Sequence, residues 1–263
     1  MSIKTRIYED YTKKSRLSKY KEMLETAKAA GYRMIGVRDY YELLQKTNNH
    51  PGEKILLVRH DIDTSPKVAR KIFEIEKSVY GNRGTSTFYF RWTTIDTKLI
   101  KDIEDYGYET GYHYEELAAY IKDRKLKDRE QVIQELSAVR RKFLSGLEKY
   151  RQVTRTASET VASHGDFVNT KLDIQSFEIL KDDDTRKKAN IILEAYDASI
   201  MDFIDERFAD HVLVDKMTEE VCKSISKGTE KIMILIHPRN WEVDIVSNTK
   251  ENFRRLIQGI MYR

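Results

Sequence analysis

The 263-residue sequence contains one cysteine, Cys222, and only three prolines. A single cysteine excludes an intrachain disulfide and a metal site built from several thiolates, and its side chain is predicted to be semi-buried. So few prolines, with eleven glycines, predict closely spaced regular elements joined by short loops, without a linker. The length suffices for one α/β barrel, so we predict a single domain over residues 1–263.

The sequence also lacks an excess of one charge and a long apolar run. It has 47 basic and 43 acidic residues, a formal net charge of +4, which is too slight to predict a nucleic-acid partner. No stretch approaches the ~20 apolar residues that a membrane span requires, and residues 1–10 lack the apolar segment of a signal peptide. These absences predict a cytoplasmic protein without a membrane span, and they leave its oligomeric state undetermined.

Short apolar runs alternate with amphipathic segments along the chain. The segment 54–58 is a continuous apolar run, as in strands buried on both faces. Between residues 165 and 214 the pattern is mixed, with apolar stretches at 191–196 and 212–214. The alternation predicts a βα barrel or a layered α/β sheet. The predicted strands are 33–37, 54–58, 86–91, 109–113, 160–164 and 231–236, and the predicted helices are 17–30, 40–45, 66–80, 97–106, 128–150, 219–226 and 249–261.

Polar side chains collect where the predicted strands end. In parallel α/β folds the loops at the carboxyl ends of the strands converge, so sites form at that edge. Histidine is also the usual side chain for delivering a proton near neutral pH. A functional site is therefore predicted there. Its candidate residues are Asp61, Asp63, His113, His164 and His237, with His60 adjacent.

Two of the candidates, Asp61 and Asp63, end the same strand. Side chains alternate along a strand, so both aspartates are predicted on one face and His60 on the other. Two carboxylates on one face repel each other unless a cation lies between them. A divalent metal would bind one and leave the other as a proton acceptor. Arg59 or Arg91 would instead neutralise the second carboxylate through a bidentate pair.

Each candidate also has a structural interpretation. Asp63 begins a good helix-capping sequence. A lone histidine at a strand end, such as His113 or His164, is as often a hydrogen-bonded core residue as a ligand. His237 ends an apolar strand before proline. Trp241 is compatible with a sugar-stacking surface or with a partly buried core position. Their common position at strand ends favours the functional interpretation.

Five motifs together are similar to those of polysaccharide deacetylases, also called the NodB-homology or carbohydrate esterase family 4. Their order and spacing match over roughly residues 54–240. The first motif, Arg59–Asp63, and the later motif Ser163–Gly165 resemble those of a subgroup of deacetylase-like proteins associated with bacterial surface polysaccharide synthesis. The motifs are Arg59–Asp63, Ser86–Arg91, Leu99–Glu104 with Gly111–Glu115, Ser163–Gly165 and Leu235–Pro238.

The resemblance implies a distorted (β/α) barrel of about seven strands with a mononuclear site for zinc or a similar divalent ion. Asp61 resembles the general base of the family and Asp63 its metal-binding aspartate. His113 matches the first metal-binding histidine. His237 matches the histidine that acts as general acid.

The sequence departs from the family pattern at two places. The family has a second histidine one helical turn after the position of His113, and this chain has none there. His164 is the candidate for the missing ligand; Glu115 or Glu116 is the alternative, or no metal binds. Ile62 separates the two aspartates, which are adjacent in most members of the family. The roles of general base and metal ligand could therefore be exchanged between Asp61 and Asp63.

The predicted reaction is hydrolysis of a linear amide C–N bond, which removes an N-acetyl or related acyl group from an amino sugar. The substrate is predicted to be a nucleotide- or lipid-linked precursor. Two alternatives are a metal-independent amide hydrolase of the same superfamily and a catalytically inactive scaffold or binding protein of polysaccharide biosynthesis. The residues expected to orient the base or to contact the substrate are Arg59, Arg91, Tyr112, Tyr114 and Trp241.

Overall fold

Eight strands form one sheet in the computed structural model, which describes residues 7–48, 52–211 and 213–262. They are β1 (Arg33–Ile35), β2 (Ile55–Ile62), β3 (Thr87–Phe90), β4 (Glu109–Tyr114), β5 (Thr160–Ser163), β6 (Leu193–Glu194), β7 (Glu206–Ala209) and β8 (Lys231–Ile236). Seven follow one another in the order β6-β5-β4-β3-β2-β8-β7, and β1 pairs with the first half of β2. Every pair is parallel, so the carboxyl ends share one edge.

Eleven α-helices within the described ranges connect these strands. They are α1 (Leu17–Ala29), α2 (Val37–Lys46), α3 (Pro66–Tyr80), α4 (Thr97–Asp105), α5 (Glu116–Arg124), α6 (Arg129–Thr154), α7 (Phe167–Lys171), α8 (Asp183–Ala189), α9 (Ala198–Met201), α10 (Val214–Lys227) and α11 (Ile245–Tyr262). A short π-helical turn, Tyr8–Thr12, precedes α1 and contacts α11.

The sheet curls into an open barrel. Arg59 on β2 donates a hydrogen bond from Nη1 to the carbonyl oxygen of Ala195, just after β6, at 3.4 Å. Three strands lie between β2 and β6 in the sheet, so this contact crosses the interior. β6 and β7 stand at the two ends of the strand order, and the barrel is open between them. The predicted α/β fold, a distorted (β/α) barrel of about seven strands, is confirmed.

Two apolar clusters cover the two faces of the sheet, as the alternation of side chains requires. On β2, Ile55 and Leu57 belong to the inner cluster, which α2 and α9 also contact. Leu56 and Val58 belong to the outer cluster, which packs against the surrounding helices. Each fully buried aliphatic side chain of this kind contributes about 1.5–3 kcal/mol.

His60 faces the outer side of β2 and is part of the packing. Its Nε2 lies 2.7 Å from Glu76 Oε1 on α3. The same carboxylate accepts hydrogen bonds from the hydroxyl groups of Tyr20 at 2.5 Å and Ser86 at 2.6 Å. This buried polar network joins α1 and α3 to the sheet, so His60 is separated from the aspartates on the inner face.

Most of the predicted elements occur with shifted ends, and six were not predicted. The pattern missed α5 and, within the mixed stretch 165–214, it missed α7, α8, α9, β6 and β7; β7 is only half-buried and has no apolar run. The predicted strand 33–37 ends at Ile35 because α2 begins at Val37. Residues 1–6 and Val212, which belong to predicted features, lie outside the described residues. Among the helices that the structure describes, none is long and apolar enough to cross a membrane.

Gly111 on β4 has no room for a side chain. A Cβ atom there would lie 2.6 Å from the backbone oxygen of Thr160 and 2.6 Å from the ring of Tyr89. The backbone of a neighbouring strand cannot move away cheaply, so we expect Gly111→Ala to lower the free energy of unfolding by about 1–3 kcal/mol. Chemical denaturation measures this change. Gly52→Ala is the control, because a Cβ there meets nothing within 4 Å; equal stability of the two variants would contradict the packing described.

Candidate functional site

A cavity of about 510 Å³ lies at the carboxyl ends of the strands. β2 supplies Asp61 and β4 supplies His113, while His164 and His237 immediately follow β5 and β8. The structure thus brings together the five strand-end residues selected from the sequence. The cavity wall includes Asp61, Asp63, His113, His164 and His237, together with Tyr196, His211, Arg254, Arg255 and Gln258.

Asp61 is held by a buried arginine. Arg59 donates from Nε to Oδ1 and from Nη2 to Oδ2 of Asp61, both at 2.8 Å. The guanidinium lies over the rings of Tyr89 and Tyr196, at 5.4 and 4.4 Å from their centres. Burial raises the pKa of Asp61, but the charge and the hydrogen bonds of Arg59 outweigh burial and lower it. Asp61 is therefore ionised at neutral pH, and Arg59, not Arg91, orients it.

Asp63 lies between two histidines. Its Oδ1 is 3.2 Å from His113 Nε2 and 3.4 Å from His164 Nε2. Burial raises the pKa of Asp63, but His164 and His113, through the charge and hydrogen bonds of their protonated rings, more than offset this effect and hold it well below the usual value. Asp63 does not cap α3, because the capping position is Ser65, which makes no side-chain capping bond. The structural interpretation of Asp63 is therefore not supported.

In the neutral tautomer of His113, the contact between Asp63 and His113 joins two hydrogen-bond acceptors. His113 Nδ1 lies 2.9 Å from the carbonyl oxygen of Ala162. A carbonyl only accepts, so Nδ1 carries a proton, and Nε2 of the neutral ring presents a lone pair to Asp63. Among the described residues, Asp63 Oδ1 has no hydrogen-bond partner although it is buried. Burial lowers the pKa of His164 in spite of Asp63, so this ring is neutral at pH 7.

These three groups fit a divalent ion by chemistry and pairwise spacing. Ligands around tetrahedral zinc at ~2.0–2.2 Å are separated by about 3.3–3.6 Å, close to the observed 3.2 and 3.4 Å. Two imidazoles and one carboxylate are a common ligand set for zinc. Within the described ranges, no three such side chains are grouped closely enough to form a finished metal site. Binding therefore requires Asp63, His113 and His164 to move slightly around the ion.

His237 is held on the other side of the cavity by a buried aspartate. Its Nδ1 lies 2.7 Å from Asp210 Oδ1, and its backbone N–H donates to Oδ2 at 2.8 Å. Trp241 donates from Nε1 to the same Oδ2 at 2.7 Å. Burial lowers the pKa of His237, but Asp210 outweighs burial and raises it to about 9. His237 is therefore protonated at neutral pH, with Nε2 available on the cavity side.

The residues expected to contact the substrate lie behind the cavity wall. Their side chains are at most 1% exposed, so they offer no surface to a substrate, and this placement corrects the expected direct contact. Three of them support residues of the site instead: Arg59 binds Asp61, Trp241 donates to Asp210, and Arg91 donates to the backbone oxygen of Asp63 at 3.3 Å. The five residues are Arg59, Arg91, Tyr112, Tyr114 and Trp241.

The two glutamates considered as alternative ligands have other partners. Glu115 forms ion pairs with Arg91 and with Arg254. Glu116 accepts a hydrogen bond from the Tyr112 hydroxyl at 2.6 Å, and burial raises its pKa to about 7. Neither lines the cavity around Asp63, so the geometry favours His164 as the third ligand.

Sequence reasoning missed Asp210 and the side chains that α11 contributes to the cavity, Arg254, Arg255 and Gln258. Asp210 directly follows β7, so its position at a strand end was the available signal. It was overlooked because β7 lacks the apolar run by which the other strands were recognised. The two arginines lie in a helix that was predicted, but nothing in its sequence indicates that it covers the cavity.

Comparison with protein-family models, with curated proteins and with solved structures finds no match. The similarity to polysaccharide deacetylases therefore depends on the motifs of the sequence. What the structure adds is the geometry of the side chains in those motifs.

Replacing Asp210 tests how the site sets the charge of His237. Asp210→Asn removes the carboxylate that raises the pKa of His237 to about 9, so we expect that pKa to fall. A raised pKa also stabilises the fold: the contribution is complete below about 6.5 and is lost as pH rises through about 9. The free energy of unfolding of Asp210→Asn should therefore not show this loss of stability between about pH 6.5 and 9. NMR titration of the imidazole ring measures the pKa directly.

Asp205→Asn is the matched control for this experiment. Asp205 also accepts a hydrogen bond from a backbone N–H, that of Lys231 at 2.8 Å, but it is exposed and lies at the opposite end of β8. Its replacement should leave the titration of His237 unchanged. An unchanged titration in Asp210→Asn would show that this carboxylate does not govern His237.

Proposed function

We propose that this protein is a divalent-metal-dependent carbohydrate deacetylase of the polysaccharide deacetylase type. The supporting observation is the approach of Asp63 Oδ1 to His113 Nε2 at 3.2 Å, because in the neutral tautomer of His113 that donates to Ala162 neither atom carries a proton. Two buried acceptors at this distance repel each other, and a cation between them converts the repulsion into coordination. Zinc is the ion that we propose for this ligand set.

In the proposed reaction, water attacks the acyl carbon of an amide and the C–N bond breaks. Asp63, His113 and His164 would hold the ion, whose charge polarises an acyl oxygen and lowers the pKa of water. Asp61, ionised and oriented by Arg59, accepts the proton of the attacking water. His237 donates the proton of Nε2 to the departing amine nitrogen. The products are a free carboxylate and an amino sugar.

The cavity favours a substrate that combines a sugar with an anionic group. Its volume of about 510 Å³ lies within the usual range for small-molecule sites, ~300–1,000 Å³. Arg254 and Arg255 add positive charge to a wall whose other side carries the carboxylates. A phosphate that links an amino sugar to a nucleotide or to a lipid matches that charge. A cytoplasmic location belongs to this proposal.

Zinc affinity tests the proposed ligands. We expect Asp63→Asn, His113→Gln and His164→Gln each to weaken zinc binding about tenfold or more, since each removes one of three ligands. Calorimetric titration of the metal-free protein measures the affinity. His211→Gln is the control, because this histidine lines the same cavity but lies against His237. Equal losses in His211→Gln and His164→Gln would refute the assignment of His164.

Hydrolysis of N-acetylated amino sugars, free and linked to a nucleotide or lipid, tests the activity itself. We expect zinc-dependent release of acetate, and a loss of kcat of about 100-fold or more in Asp61→Asn and in His237→Gln, because each removes a proton-transfer group. Asp102→Asn is the control, since Asp102 pairs with Arg70 on the helical surface. Activity that persists after chelation of all metal would favour a metal-independent hydrolase. Absence of hydrolysis with every sugar would favour a binding or scaffold protein.

A further inference from the structure

Helix α11 is attached to the barrel through its polar side. Asn248 Nδ2 donates to the backbone oxygen of Asp10 at 2.8 Å, and Gln258 Oε1 accepts from Lys122 at 2.9 Å. Near the end of the helix, the hydroxyl of Tyr262 donates to the backbone oxygen of Leu126 at 2.6 Å. The buried Glu251 pairs with Arg91 at 3.4 Å. Hydrogen bonds and ion pairs, not an apolar seam, therefore fix the orientation of α11.

The opposite side of α11 carries an exposed apolar stripe. At about 100° per residue, its members fall within a sector of about 120° and extend along roughly 22 Å of the helix. Their exposure ranges from 40% to 63%. This is the reverse of an ordinary surface helix, whose apolar side faces the core. The stripe consists of Ile245, Val246, Phe253, Leu256, Ile257 and Ile260.

Positive charge borders the stripe. Lys250 is exposed and lies on the helix surface directly beside one edge of the apolar sector. The single acidic residue of α11, Glu251, is already paired with Arg254 and Arg255. At the far end of the helix, Lys127 and Lys171 lie over the ring of Tyr262 at 4.0 and 5.1 Å from its centre. Phe167 packs on the same ring and is 51% exposed, which extends the apolar surface towards the cavity.

We propose that α11 lies in the headgroup region of a membrane that contains anionic phospholipid, with its apolar stripe inserted and its basic border against the lipid phosphates. An apolar stripe flanked by cations is the pattern of helices that lie in a membrane interface. A second copy of the chain fits the same surface less well. In an antiparallel pair of α11 helices, the border with Lys250 meets the same border of the copy, so like charges face each other.

Membrane docking has a consequence for the substrate, and this consequence rests on the proposed function. Arg254, Arg255 and Gln258 line the cavity from the same helix whose outer side carries the stripe. A docked α11 therefore brings the cavity to the lipid surface. A nucleotide-linked and a lipid-linked amino sugar both match the charge of the cavity. Of these two substrates, the lipid-linked amino sugar is the one that a membrane supplies at the cavity entrance.

Binding of the full-length protein to lipid vesicles tests the proposal without substrate or metal, so the result is independent of whether the site hydrolyses amides. We expect co-sedimentation with phosphatidylglycerol/phosphatidylcholine vesicles, and a partition coefficient at least about tenfold lower in the double variant Leu256→Asn/Ile260→Asn. Lys250→Gln should lower binding about fivefold, and added salt should weaken it. Thermal melting checks that each variant is folded.

The control is the double variant Val153→Asn/Ile192→Asn. These residues are 49% and 40% exposed and precede β5 and β6 at the opposite end of the barrel, so binding should equal that of the unmodified protein. Equal loss in both double variants would overturn the proposal. The proposal would also be overturned if the unmodified protein does not bind the vesicles, whether it is a monomer or a dimer. A dimer that Leu256→Asn/Ile260→Asn dissociates would identify the stripe as an interface between copies of the chain.

Discussion

The buried guanidinium of Arg59 is the interaction on which the site depends. Removing such a charge from water costs several kcal/mol unless other groups replace its hydration. Here Asp61 accepts two hydrogen bonds at 2.8 Å, and the carbonyl oxygen of Ala195 accepts a third. The rings of Tyr89 and Tyr196 cover the guanidinium. Because Arg59 lies on β2 and two of these partners follow β6, one guanidinium both orients Asp61 and joins distant strands of the curled sheet.

Asp61, Asp63 and Asp210 each have a different partner in or behind the cavity wall. Asp61 is neutralised by the permanent charge of Arg59, so it remains an ionised acceptor. Asp210 shares a proton with His237 and keeps that histidine charged. Asp63 has two imidazoles beside it, and the nearer one, in its neutral tautomer, offers it a lone pair. Because their partners differ, the three aspartates have different roles. Asp61 is a proton acceptor, Asp210 supports a proton donor, and Asp63 is a proposed ligand for a cation.

The alternation of elements predicted a βα barrel or a layered α/β sheet, and the family resemblance implied the barrel. The convergence at the strand ends was predictable in either case, because parallel strands bring their carboxyl ends together whatever the side-chain contacts are. The sequence could not predict which side chains face the cavity. Trp241 is buried because Asp210 accepts its N–H, and Asp210 follows β7, a strand without an apolar run. For α11, the amphipathic pattern predicts a helix, but ordinary folding rules place its apolar side inward. The polar contacts of Asn248 and Glu251 reverse that orientation. These are tertiary contacts, which the helical pattern of the sequence does not indicate.

The central claim is that Asp63, His113 and His164 form the ligands of one metal ion. Anomalous diffraction at the zinc absorption edge, from crystals of the protein grown with zinc, tests it most directly. The account predicts one strong peak in the cavity, within ~2.0–2.2 Å of an Asp63 carboxylate oxygen and of Nε2 of both histidines. A cavity without a peak at saturating zinc, or a peak that His164 does not approach, would contradict the account.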